Sequence, residues 1–136
     1  MLLLIGIISG CIIGLFFYLC QLVTNKPLYT LLMNIDYFPI IGEWQHPPLF
    51  EFSYHIGVSI VLVYTLIFFL RLWNLEGKLW AYVSISGLIG LFIYPTTVLS
   101  DRTPELYDGW AVVIWIIGHL IYGFSIGLSQ QYCNKS

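Results

Sequence analysis

Charged side chains divide the chain into four long runs that lack them. Met1–Asn25, Phe52–Leu70, Leu79–Ser100 and Gly109–Asn134 contain no Asp, Glu, Lys or Arg over 25, 19, 22 and 26 residues. A helix needs about 20 mostly apolar residues to cross the hydrocarbon layer, at about 1.5 Å per residue. A charge at its centre costs about 2.5–3.5 kcal/mol on insertion scales. The runs are continuously apolar, without the alternation of a membrane barrel strand. The predicted fold is therefore all-α, a four-helix transmembrane bundle. Its helices are expected over about 2–23, 52–73, 79–99 and 110–130, in a single integral membrane domain covering 1–136.

The polar segments between these runs are unequal. Two are short and suit antiparallel neighbours, whereas the outer loop 24–51 is well beyond usual loop length. It holds Pro27, Pro39, Pro47 and Pro48, with the apolar pieces Leu28–Met33 and Tyr37–Ile41 between them. Such a loop is expected to lie at the interface, with a short helix near Leu28–Asn34 capping the outer end of the bundle.

Composition sharpens the picture. The chain is 59% hydrophobic, 18% aromatic and 9% charged, against about 25% charged residues in an ordinary soluble domain. A soluble enzyme, a nucleic-acid binder and a disordered tail are excluded by that shortage. The lipid bilayer is the expected partner, and nucleic acid is not one. Arg71 and Lys78 lie between the second and third runs and Lys135 in the tail, while Lys26 and Arg102 sit in loops richer in acid. Basic residues collect on the cytoplasmic side, so both termini are expected there, in a bacterial inner membrane. Trp73 and Trp80 mark one interface, and Trp44 and Trp110 the other.

Ile8-Ser9-Gly10-Cys11 has the form of a lipoprotein cleavage box. Without a basic residue ahead of it, the first run is expected to stay as a helix. Cys11 and Cys20 stand about 13 Å apart along that helix, too far for a disulfide. With Cys133 they form no CxxC pair, and small apolar filler is the expected role of all three.

Small residues recur at spacings of four: Gly6, Gly10 and Gly14; Ser86 and Gly90; Gly123 and Gly127. This spacing lets helix backbones approach closely in lipid. Packing within one bundle is the first expectation. A homo-oligomer joined through the first helix, or docking on a larger membrane complex, is the alternative.

Chemistry is concentrated in a few polar positions. Glu51, His55 and Ser59 are four apart and share one helix face, where a histidine beside a carboxylate can act as a switch. Solvation at the interface is the competing explanation. His119 falls about nine residues into the fourth helix, about 14 Å deep, where an ionisable side chain points to function. A packing hydrogen bond is its alternative role, with Tyr94, Tyr122 or a threonine of the third helix as partner. Pro95 frees a carbonyl at the end of that helix and predicts a kink with a vestibule lined by Tyr94 and the threonines. Counted from the predicted helix starts, His55 and His119 differ in depth by roughly 9 Å, which argues against their sharing a haem. No metal, cofactor or catalytic constellation is expected.

The set His55-x3-Ser59-Ile60, Leu79-Trp80, Pro95, Arg102-x-Pro104 and Trp115-x2-Gly118-His119-x2-Tyr122 resembles the YagU-like family of small bacterial inner-membrane proteins. The resemblance runs from the second helix to the C-terminus. It implies an association with acid resistance, and His55 and His119 as the positions to carry over. The expected function is thus a multi-pass membrane protein in proton-linked physiology such as acid tolerance. An oligomeric small transporter or channel is one alternative, and an accessory subunit of a larger membrane complex is another.

Overall fold

The computed structural model describes residues 1–35 and 47–133. Among them every regular element is helical: α1 (Leu2–Thr24), α2 (Leu28–Met33), α3 (Pro48–Leu72), α4 (Leu79–Ile93) and α5 (Gly109–Cys133). A six-residue 3-10 segment, Tyr94–Leu99, continues α4. Four helical segments, of 23, 25, 21 and 25 residues, are long and apolar enough to cross a membrane. The four-helix membrane bundle read from the sequence is therefore present. The apolar piece Tyr37–Ile41, Pro39, Trp44 and Lys135 lie outside the described residues.

Helix ends follow local chemistry. α1 stops where Asn25 turns left-handed at φ 55° and returns its N–H to the Gln21 carbonyl, a conformation asparagine tolerates better than most residues. α3 begins at Pro48, four residues before the start at 52 read from charge alone. Proline suits the first turn because its missing N–H would have no partner there. Glu51, in that same turn, is favoured by the positive end of the helix dipole. Pro95 tightens the end of α4 into the 3-10 segment.

α1 packs on α3 and on α5, and α5 packs closely along α4. α3 and α4 hardly touch. The buried centre is formed by Phe17, Val63, Leu66, Ile67, Tyr82, Trp115 and Ile126, with Phe17 stacked on Trp115 at 4.8 Å between ring centres. α2 covers one end of the bundle, its Leu28, Leu31 and Met33 buried against α1 and α3. The Gln21 side chain secures it by accepting the Thr30 N–H at 3.1 Å. Among the described residues, two ion pairs tie the same end together. Lys26 pairs with Asp108, and Arg102 with Glu51 at 3.3 Å.

Candidate functional site

Because α3 and α4 stand apart, a cleft of about 260 Å³ opens between them, floored by α1 and α5 and roofed by α2. Its walls are mostly aliphatic, with His55, Ser59, Thr96, Trp115, His119 and Tyr122 among the lining residues. His55 and Ser59 come from α3, His119 and Tyr122 from α5, so four of the polar positions singled out in the sequence meet in one place.

The contact that positions His55 and Ser59 is a pair of matched spacings. Gly6 and Gly10 on α1 are four apart, as are Ser59 and His55 on the antiparallel α3. Ser59 Oγ donates to the Gly6 carbonyl at 2.7 Å, and His55 Nε2 donates to the Gly10 carbonyl at 3.1 Å. The glycines allow this approach: a Cβ on Gly6 would stand 2.7 Å from the Ile60 Cα, and one on Gly10 3.0 Å from the Ser59 side chain. The glycine face of α1 is thus occupied by α3 of the same chain, and Gly14 meets Met33 and Phe52 only at ordinary contact distance. Ser59 in turn meets Tyr122, whose hydroxyl lies 2.9 Å from Ser59 Oγ and 3.2 Å from the Ser59 carbonyl. Since Ser59 gives its hydrogen to Gly6, Tyr122 is the donor to Ser59.

His119 is held differently. Its Nδ1 donates to the Trp115 carbonyl one turn earlier, at 2.9 Å, so Tyr94, Tyr122 and the threonines are not its partners. The ring lies 4.6 Å from the Trp115 ring and 6.1 Å from Phe17. It packs over Gly90, where an added Cβ would meet the imidazole. Trp115 Nε1 donates to the Gly90 carbonyl at 2.9 Å and locks this corner.

Glu51 does not join His55. Its carboxylate turns to the Arg102 guanidinium, at 3.3 and 3.4 Å, across the mouth of the bundle. Nor does Tyr94 line the cleft. It is buried, and its hydroxyl donates to the Glu105 carbonyl at 3.1 Å, leaving Thr96 as the threonine of the 3-10 segment in the wall. Ser86 and Gly90, with Gly123 and Gly127, sit in the α4–α5 contact.

The depth mismatch between the histidines also disappears. His55 is four residues and His119 three residues from the Ser59–Tyr122 hydrogen bond. At about 1.5 Å per residue they stand about 6 and 4.5 Å from that shared level. Starting α3 four residues late accounts for about 6 Å of the sequence estimate. The spacing of small residues left out Gly118 as a packing position, although its missing Cβ makes room for the Phe17 ring, because no small residue stands four positions from it. Sequence reasoning also missed the ion pairs, since loop charges carry no spacing signal. Comparison with family models, with characterised proteins and with solved structures finds no match for the chain.

Proposed function

We propose that this membrane protein acts in proton-linked membrane physiology, such as acid tolerance, through the cleft between α3 and α4. The observation that carries the reading is the convergence of His55 and His119, from different helices, on one cavity at one level. Each ring gives one nitrogen to a main-chain carbonyl and has a second to offer, so the pair can accept a hydrogen bond or a proton from a molecule that enters from the lipid. The resemblance to YagU-like proteins points the same way. The loop basic residues support termini on the cytoplasmic side of a bacterial inner membrane.

A passage through a single copy is less favoured. On the side away from α2, the Ser59–Tyr122 contact and the packed Val63, Leu66 and Ile67 lie beneath the cleft, so transport requires several copies or a rearrangement.

The test is complementation under acid challenge. Deletion is expected to lower survival, and His55→Leu or His119→Leu to fail to restore it while still inserting at normal abundance. His119→Gln, which hydrogen-bonds without titrating in this range, is expected to fail as well. Restoration by His119→Gln with low abundance of His119→Leu would assign the residue to packing. Normal survival of the deletion strain would overturn the reading.

A further inference from the structure

Both histidines are almost fully buried, at 8% exposure for His55 and 6% for His119, and each has one nitrogen committed. A carbonyl only accepts, so His55 Nε2 and His119 Nδ1 carry the ring hydrogens. The neutral rings then keep lone pairs on His55 Nδ1 and His119 Nε2, and neither has a hydrogen-bond partner among the described residues. Thr96 Oγ1, in the 3-10 segment that also lines this cavity, is fully enclosed and has no hydrogen-bond partner among the described residues. Buried polar atoms are satisfied as a rule. Two acceptors at one level in one cavity therefore call for a ligand with two donors.

Water meets only part of this demand. A cavity of about 260 Å³ has room for several molecules at about 30 Å³ each, but the aliphatic walls, Ile13, Leu31, Leu62 and Ile89 among them, favour a ligand that brings apolar surface together with its donors. The side of the cleft runs between Val58 on α3 and Ile93 on α4, both exposed on the lipid-facing surface. Entry is therefore from the bilayer. The volume lies just below the range for drug-sized ligands, which suits one substituted ring. A porphyrin or a sterol body is too large. A long-chain alcohol fits but brings a single donor.

Resting on the reading of the cleft as a site of proton exchange, we propose that it binds a quinol-class lipid. This is one flat ring with two para hydroxyls and an apolar tail. The hydroxyls donate to His55 Nδ1 and His119 Nε2, and the tail leaves between Val58 and Ile93. Ring substituents meet Thr96. The two histidine acceptors favour the reduced form, because the carbonyls of the corresponding quinone cannot bond to either of them and would have to take their donors elsewhere in the wall, such as the Thr96 hydroxyl.

The experiment is binding of decyl-substituted 1,4-hydroquinone to the full chain in lipid nanodiscs, measured by titration calorimetry under anaerobic conditions. The comparison probes are its dimethyl ether, the oxidised quinone and decanol. The diol is expected to bind at least tenfold more tightly than each. His55→Leu and His119→Leu are each expected to remove most of that preference, with thermal unfolding confirming that the variants are folded. The wild-type ratio of diol to ether keeps the test decisive if a variant fails to insert. Equal binding of diol and ether, a match by decanol, or no binding of any probe would overturn the ligand class. Loss of acid complementation in the histidine variants without diol preference would overturn the quinol alone. Diol preference without an acid phenotype would overturn the physiological reading and keep the site.

Discussion

The α1–α3 and α4–α5 contacts are both built on glycines four apart, yet the glycines do different work. Between α1 and α3 they bring main-chain acceptors within reach of Ser59 and His55, and the contact is polar. Between α4 and α5 they make room. Gly123 lies against the Tyr82 carbonyl and Ser86, Gly127 against Leu79 and Tyr82, and Gly87 against Leu120. The Ser86 hydroxyl, buried in that contact, has no hydrogen-bond partner among the described residues. Small-residue spacing thus predicts close approach, while the residues opposite decide whether the freed carbonyls are used. The cleft opens where neither contact reaches.

The largest effect is expected in the α4–α5 contact. A side chain at Gly123 meets main chain and cannot be accommodated by a rotamer change, so Gly123→Val is expected to cost about 3 kcal/mol or more. Thermal unfolding in detergent is the measurement, with Gly14→Ala as the control, expected within about 0.5 kcal/mol. Similar losses in both would mean that glycine spacing, and not the opposing surface, sets the cost.

The extension of the polar contact from Ser59 to α5 is tested by a double-mutant cycle on Ser59→Ala and Tyr122→Phe. Interhelical hydrogen bonds in membranes couple by about 0.6 kcal/mol on average and up to about 1.7, and a value near the average is expected here because Ser59→Ala removes Oγ and keeps the main-chain carbonyl that Tyr122 also reaches. A coupling of zero would mean that the polar contact ends at Ser59 and that its link to α5 adds nothing to stability.

These contacts explain what could be read from the sequence. The four helices were legible because exclusion of charge from lipid is a one-dimensional rule that the chain obeys over whole runs. The start of α3 was not, because charge placed Glu51 outside, whereas Pro48 and an acidic first turn are themselves start signals. Spacing told that His55 shares a face with Ser59, and Gly6 with Gly10. That the two faces meet is a matter of three-dimensional partner choice, although the identical spacing of four was a usable hint. Glu51 was misassigned for the same reason: its nearest neighbour on the helix is His55, and its partner is Arg102, 51 residues away.

The smallest effect belongs to the ion pair outside both contacts. Asp108 caps α5 by accepting the Ala111 N–H at 3.1 Å through Oδ1, and its Oδ2 pairs with Lys26. The Lys26 ammonium, aided by main-chain N–H groups at the helix start, holds the carboxyl below its ordinary range. A carboxyl lowered on folding adds stability that is complete above its unfolded value, about 3.9, and is lost as pH falls through the folded value. With side chains about a quarter exposed, the pair is worth less than about 1 kcal/mol and is screened by salt. Asp108→Asn keeps a good capping residue and removes the charge, so it should lose only the part of stability that depends on acid and salt. Asp108→Ala should lose the cap as well, about 1 kcal/mol more. Unfolding scans between pH 3 and 7, in low and high salt, separate the two. If Asp108→Asn is as unstable as Asp108→Ala, the ion pair and not the cap fastens α1 to α5 at this end.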